Sequence, residues 1–87
     1  MSRFEKALLK ILTGSHDKNI GFDDLRGLLQ RLDFTERVKG DHHIFTRGDV
    51  VEIVNIQPDG KFAKPYQVKQ VRNLIIRYKL GGTDGEI

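Results

Sequence analysis

The segment Lys39–Phe45, with the sequence Lys-Gly-Asp-His-His-Ile-Phe, holds the side chains of this 87-residue chain that are best suited to chemistry. Its two histidines, His42 and His43, follow a glycine and enter an apolar, β-prone run. Histidine gives and takes protons near neutral pH without special tuning, which suits general acid–base catalysis. The carboxylate of Asp41 lies next in sequence and is placed to orient an imidazole. The segment is therefore the first candidate for a site of proton transfer.

A metal site is not expected at this histidine pair. Neighbouring residues on a strand point to opposite faces, so His42 and His43 should not meet at one centre. The chain has no cysteine and no pair of histidines at the H-x-x-x-H spacing of a helical metal site. We therefore expect neither a metal nor a cofactor. On the residues alone, two interpretations stay open: one histidine is packed and the other merely exposed, or one of them is catalytic.

The rest of the chain offers no second catalytic constellation. Ser2 and Ser15 fall at a predicted helix end and in a loop, and no Walker or G-x-G-x-x-G motif is present. His16 stands alone in a polar loop and is expected to be solvated. A histidine with cations nearby suits a substrate that carries its own nucleophile. RNA is such a substrate, because its 2′-OH attacks the adjacent phosphate.

Positive charge is concentrated towards the C-terminal end. Six of the 15 basic residues and none of the 12 acidic residues lie between positions 61 and 80. A block of this kind attracts polyanions, nucleic acid first among them. It is equally typical of a solvated helix face, so charge alone does not decide between the two.

Length and composition predict one small globular domain over residues 1–87. The hydrophobic fraction of 38% and the charged fraction of 31% are typical of folded proteins. No leader-like segment is apparent, and no apolar run approaches the ~20 residues that a membrane span needs. We therefore expect a cytoplasmic protein that does not associate with membranes.

Apolar residues at helical spacing predict three helices, over residues 2–13, over residues 22–33, and from Pro65 to a C-terminal end at Gly81. Ser2 and Glu5 fit a capping box at the first of these helices. Pro65 suits the first turn of the last helix, where its missing N–H costs nothing. Residues 83–87 are expected to form a frayed tail.

Between the second and third helices the apolar period changes to two, which predicts strands over residues 34–39, 42–47 and 50–56. Gly40 and Asp41 are expected to form a turn or bulge, and Arg47, Gly48 and Asp49 a short hairpin connection. Residues 57–60 are predicted to turn and to lead into a loop up to Lys64. The sequence thus predicts an α+β fold of order α-α-β-β-β-α, with the helices on one face of a three-stranded antiparallel sheet.

Together, the Gly-x-His-His motif, the hairpin and the proline-led basic helix resemble the HicA family of toxins, small bacterial mRNA interferases of toxin–antitoxin modules. The resemblance covers roughly residues 20–80, so helix 2–13 is an N-terminal extension and residues 81–87 a tail. The run from Lys64 to Asn73 is similar to the helix entry of a HicA subgroup with an extended N-terminus. The resemblance implies a fold like that of a double-stranded-RNA-binding domain, α-β-β-β-α, with an extra N-terminal helix.

The resemblance also implies an activity: metal-independent, ribosome-independent endonucleolytic cleavage of mRNA. The catalytic position would be His42, with His43 as the alternative. RNA phosphates would be bound by a set of cations, namely Lys39, Arg47, Lys64, Lys69 and Arg72. The free toxin would be monomeric, and a HicB-type antitoxin would bind it in a hetero-oligomer and block RNA.

One departure from the family pattern bears on activity. Asp41 stands where the family often has a small serine, and its carboxylate would repel phosphate. A non-catalytic module that binds double-stranded RNA is therefore the alternative function. A third hypothesis is an interaction protein whose sheet edge pairs with another protein.

Overall fold

The computed structural model describes residues 2–81. In this range the fold is α+β, with three α-helices and a three-stranded antiparallel sheet, which confirms the predicted class; a further two-stranded sheet precedes the last helix. The elements are α1 (Arg3–Thr13), a 3₁₀ turn (Asp17–Asn19), α2 (Phe22–Arg31), β1 (Thr35–Lys39), β2 (His42–Arg47), β3 (Val50–Ile56), β4 (Pro58–Asp59), β5 (Phe62–Ala63) and α3 (Pro65–Tyr78). None of these helices is both long and apolar enough to cross a membrane. The predicted tail at residues 83–87 lies outside the described residues.

The sheet has strand order β1-β2-β3 and two unlike faces. On the covered face, Phe45, Val54 and Ile56 are fully buried. On the opposite face, Val51 and Ile53 remain 88% and 62% exposed. The alternation of strand side chains thus divides the sheet into a face packed on the helices and an open face.

One core joins the helices to the covered face. The helices contribute spaced apolar residues and the strands contribute alternate ones, as the two periods require. The cluster comprises Ile11, Ile20, Phe22, Leu25, Leu28, Leu29, Leu32, Phe34, Phe45, Val50, Val54, Ile56, Ala63, Val68, Val71, Leu74 and Ile75.

Helix α1 is an integral part of this core. Its N-terminus has the predicted capping box: the Ser2 hydroxyl accepts from the Glu5 N–H at 3.1 Å, and the Glu5 carboxylate accepts from the Ser2 N–H at 3.0 Å. Ile11 is fully buried. At the other end of α1, the Arg72 guanidinium donates to the Ile11 carbonyl at 3.3 Å and makes a bidentate pair with Asp17 at 2.8 and 3.2 Å. Arg72 therefore ties α1 to α3.

The segment predicted as a turn and loop before α3 is a short hairpin, β4–β5. Pro58 pairs with Ala63, and Gly60 turns the chain with φ +62°. The Phe22 N–H donates to the Lys61 carbonyl at 2.9 Å, which fastens this hairpin to the start of α2. Residue 57 precedes Pro58 and residue 64 follows Ala63, so the hairpin brings residues 57 and 64 together at its open end.

Helix α3 ends earlier than predicted. Lys79, with φ 56°, is the left-handed residue that follows Tyr78, and the Leu80 N–H donates to the Ile75 carbonyl at 2.9 Å. The prediction that Gly81 ends the helix is therefore wrong. Gly81 instead packs closely on the core, since a Cβ there would come within 3.2 Å of Ile75 Cγ2.

A two-residue turn precedes the histidine pair. Lys39 and His42 are the last paired residues of β1 and β2, and Gly40 and Asp41 connect them. Gly40 has φ +60°, the conformation that a type II′ hairpin requires at its first central residue. This turn fixes the register in which His42 enters the sheet.

We expect Gly40→Ala and Gly27→Ala to change stability in opposite directions. A Cβ would meet no atom within 4 Å at either site. Alanine at position 40 is forced into the left-handed region and should lower the free energy of unfolding by roughly 1–2 kcal/mol. Alanine at position 27, inside α2, should raise it by roughly 0.5–1 kcal/mol. Urea unfolding of both variants tests this, and equal signs would contradict the assigned backbone conformations.

Candidate active site

The two adjacent histidines lie on opposite faces of the sheet. His43 points to the covered face, where its side chain is 17% exposed and its ring meets Phe22 edge-on at 4.9 Å between centroids. Its Nδ1 lies 2.7 Å from Glu36 Oε2. His42 points to the open face and is exposed. The alternation that argued against a shared metal centre is therefore observed, and the two imidazoles have separate surroundings.

Glu36 anchors the inward histidine to α2. Its carboxylate is 11% exposed and accepts from Arg26 Nε at 2.5 Å and from Gln30 Nε2 at 2.8 Å, in addition to His43. The hydrogen bond from Arg26 is the main cause that lowers the pKa of Glu36 to about 2, against the opposing effect of burial. The ionised carboxylate only accepts, so His43 Nδ1 donates to it. These contacts give His43 a structural role.

His42 is held by side chains on both sides of its ring. Nδ1 lies 3.1 Å from Asn55 Oδ1 on β3, and Nε2 lies 3.1 Å from the Gln57 side-chain nitrogen just after β3. The ring is thus positioned on the open face although it is exposed. Neither of its nitrogens lacks a partner.

Gln57 links this histidine to α3 and to a lysine. Its Oε1 accepts from Lys64 Nζ at 3.1 Å, across the open end of the β4–β5 hairpin. Its backbone N–H donates at 3.0 Å to Gln67 Oε1, the side chain of a residue that is only 3% exposed. The backbone of Gln57 is therefore held by Gln67, and its side-chain oxygen is held by Lys64.

The open face around His42 is cationic. Lys39 is the cross-strand partner of His42 and is exposed. Arg37 lies two residues before Lys39 on β1 and is on the same face. None of the residues that β1, β2 and β3 place on this face is acidic: Thr35, Arg37, Lys39, His42, Ile44, Thr46, Val51, Ile53 and Asn55. Asp41, exposed in the adjoining turn, is the nearest acid in sequence. This face suits an anionic ligand.

The five predicted RNA-contact residues do not form one patch. Lys39 and Lys64 lie beside His42 and Gln57, whereas Arg47 is at the far end of β2, about 17 Å along the strand from His42. The Arg47 guanidinium donates to the Leu32 carbonyl at 2.9 Å and pairs with Asp49 at 2.8 Å.

Two predicted contacts on α3 differ in availability. The Arg72 guanidinium donates to Asp17 and to the Ile11 carbonyl in the last turn of α1, and its side chain is 15% exposed. Arg72 and Arg47 are both engaged in contacts within the fold, and their contact with RNA stays a prediction. Lys69 is exposed on α3, and its contact with RNA also stays a prediction.

Asn55 and Gln57 were not among the site residues predicted from the sequence. A signal for Asn55 was present: it is the one amide in the β-branched run Val50–Ile56, at a position of the same parity as Ile53 and Val51. An amide on an open sheet face, one strand away from a histidine, is a natural imidazole partner. Gln57 had no such signal, because its place depends on the β4–β5 hairpin.

The arrangement can transfer protons next to positive charge. His42 supplies the titratable group, and the ammonium groups of Lys39 and Lys64 supply charge for an anionic substrate. Among residues 2–81 there is no group of three or more His, Cys, Asp or Glu side chains placed to hold a metal ion.

Glu36 should make folding stability depend on pH. Because its pKa falls from 4.5 to about 2 on folding, its contribution is present above about pH 4.5 and is lost as the pH falls towards 2. Glu36→Gln should lower the free energy of unfolding at pH 7 by on the order of 2 kcal/mol. The gap between wild type and variant should close at low pH. Urea unfolding between pH 2 and 7 tests this, with Asp41→Asn as the control. A gap that does not change with pH would contradict it.

Comparison of the chain with models of protein families, with curated proteins and with solved structures finds no match. Function therefore has to be argued from the histidine motif and the geometry around His42.

Proposed function

We propose that this chain is a toxin of the HicA type, an endoribonuclease that cleaves mRNA without a metal ion and uses His42 as its general acid or base. The observation that carries the proposal is the placement of His42. It is exposed on the open face of the sheet, hydrogen-bonded at both ring nitrogens, and flanked by Lys39 and Lys64. The three-stranded antiparallel sheet β1–β3 between α2 and α3 supports a fold like that of a double-stranded-RNA-binding domain, to which the β4–β5 hairpin is an addition.

RNA supplies the nucleophile in the proposed reaction. The 2′-oxygen attacks the adjacent phosphorus, its proton leaves, and the bond from phosphorus to the 5′-oxygen breaks as that oxygen gains a proton. His42 takes or gives one of these protons, an effect worth typically 10²–10⁴-fold in rate. The ammonium groups of Lys39 and Lys64 stabilise the negative charge that develops on the phosphate oxygens.

The placement favours His42 over His43 as the catalytic residue. The His43 side chain is only 17% exposed, its ring is packed on Phe22, and its Nδ1 donates to Glu36, so it is less accessible to RNA than His42. His42 is accessible without any change in the core. This choice agrees with the one that the family resemblance implies.

A HicB-type antitoxin is proposed as the protein partner. The open face combines exposed Val51 and Ile53 with the cations of β1, and such a mixture of apolar and charged groups is typical of a binding surface. An antitoxin seated there would cover His42 and keep RNA away. The toxin is proposed to be a cytoplasmic monomer when free.

The decisive experiment replaces each histidine with glutamine and measures cleavage of single-stranded RNA in the presence of EDTA. His42→Gln should lower the rate constant at least 100-fold because it removes the proton-transfer group. His16→Gln, in an exposed loop, should leave the rate unchanged. His43→Gln should mainly lower thermal stability. Cleavage that survives in His42→Gln, or that EDTA abolishes in wild type, would contradict the proposal.

Asp41→Ser should increase cleavage about threefold at low salt, because the exposed carboxylate beside His42 repels the RNA phosphates. The gain should shrink as salt screens the charge. Asp23→Ser, which removes an exposed carboxylate from α2, is the matched control for net charge. Equal gains in the two variants would show that only net charge matters and would refute a local effect of Asp41.

One observation favours the non-catalytic alternative, a module that binds double-stranded RNA. The Gln57 amide lies against His42 Nε2, so that nitrogen meets RNA only after the amide moves. Gel shifts that weaken with salt, without cleavage of single- or double-stranded RNA, would support binding alone.

A further inference from the structure

We infer that Lys64 is a positioning residue that decides which ring nitrogen of His42 carries the proton, and that it acts through Gln57 without touching the imidazole. The two residues stand at the open end of the β4–β5 hairpin, 3.1 Å apart between Lys64 Nζ and the Gln57 side chain. The importance of this effect of Lys64 for RNA cleavage rests on the function proposed above. The position of the proton on the His42 ring does not depend on that function.

The ammonium group of Lys64 fixes the direction of the hydrogen bonds because it can only donate. A lysine Nζ has three donors and no acceptor, so the Gln57 atom facing it is the carbonyl oxygen Oε1. The other end of the amide, the NH₂ group, then faces His42 Nε2 at 3.1 Å and donates to it. A ring nitrogen that accepts a hydrogen bond carries a lone pair. His42 Nε2 therefore has no proton in the neutral ring.

The proton of the neutral ring must then be on Nδ1, from which it is donated to Asn55 Oδ1 at 3.1 Å. The hydrogen bonds run in one direction, from Lys64 through Gln57 and His42 to Asn55. Asn55 does not determine the direction of these hydrogen bonds, because an amide can present either its oxygen or its nitrogen. The ammonium group of Lys64 at the start of the series determines it.

The backbone of Gln57 is held in place, so only its side-chain amide is able to rotate. The Gln57 backbone N–H is bonded to the buried Gln67 side chain at 3.0 Å. The hairpin pairing of Pro58 with Ala63 holds residues 57 and 64 side by side. A change of charge at position 64 therefore reaches His42 as a rotation of one amide rather than as a movement of the backbone.

For RNA cleavage, this arrangement makes Nε2 the basic nitrogen, and the 2′-OH meets it once the Gln57 amide has moved aside. A phosphate bound by Lys64 would sit next to the nitrogen that accepts the proton of the 2′-OH. If the proton were on Nε2 instead, that side of the ring would lose its lone pair. Lys64 thus has a second effect beyond its charge: it keeps the lone pair on the side where the phosphate binds.

The test is the ¹⁵N NMR spectrum of the histidine rings, recorded by long-range ¹H–¹⁵N correlation at about pH 8.5, where histidine side chains are generally neutral. Wild-type His42 should show the Nδ1–H form. In Lys64→Glu, the carboxylate accepts from the Gln57 NH₂ group, which turns the amide oxygen to the ring, and His42 should change to the Nε2–H form. Lys64→Arg keeps a donor at position 64 and should keep Nδ1–H.

Two controls separate this effect from general changes of charge or fold. Lys18→Glu makes the same charge change at an exposed position of the 3₁₀ turn and should leave His42 as Nδ1–H. His43, whose Nδ1 donates to Glu36, should remain Nδ1–H in every variant and reports that the core is intact. If Lys64→Glu does not fold, Gln57→Glu decides, since it puts an acceptor at Nε2 with Lys64 in place.

An Nε2–H form of His42 in wild type, or an unchanged Nδ1–H form in Lys64→Glu or in Gln57→Glu, would overturn the inference. RNA takes no part in this measurement. Failure to cleave RNA would therefore refute the proposed function and leave the protonation result standing. An unexpected protonation pattern would refute the role of Lys64 and leave cleavage by His42 open to its own test.

Discussion

The carboxylate of Glu36 joins the covered face of the sheet to α2 and is the polar contact on which the surroundings of the two histidines depend. It is largely buried between α2 and the first two strands, where an unpaired charge would cost several kcal/mol. Donors from Arg26, Gln30 and His43 satisfy it, and hydrogen bonds to charged groups contribute roughly 1.5–3 kcal/mol each. Because His43 is needed on the covered face to complete this set, its neighbour His42 is directed to the open face. The reactive candidate is exposed because the structural one is buried.

The site is assembled by two tight hairpins rather than by a cavity. A turn at Gly40 fixes where His42 enters the sheet, and a turn at Gly60 brings Gln57 against Lys64. Both glycines have positive φ, which other residues adopt only with strain. Each hairpin is short, so its geometry is set locally and carries little entropy of loop closure. An exposed imidazole is thereby held in place by backbone that is itself well defined.

Much of the fold follows from periodicity. Helical spacing predicted α1 and α2 closely, and alternation predicted the three strands and the separation of His42 from His43. Periodicity does not show which side of β3 faces the helices, because both sides carry apolar residues, and Val50, Val54 and Ile56 are buried whereas Val51 and Ile53 are exposed. The ion pair of Arg72 with Asp17 spans 55 positions and was likewise hidden, so the sequence did not predict that this arginine ties α3 to the end of α1. The end of α3 differed because a lysine took the left-handed position that glycine usually holds.

The contact of Arg72 with the Ile11 carbonyl in the last turn of α1 has a consequence for biosynthesis. The Gly14 N–H already donates to this carbonyl, and Arg72 adds a second donor and a bidentate pair with Asp17, so α1 gains this support only from a segment made later. Until α3 leaves the ribosome, the last turn of α1 lacks its tie to Arg72 and Ile11 lacks part of its cover. The histidine hairpin is synthesised in between and gains its support from Gln67 at the same late moment. The candidate site therefore becomes complete only after the start of α3 has been synthesised.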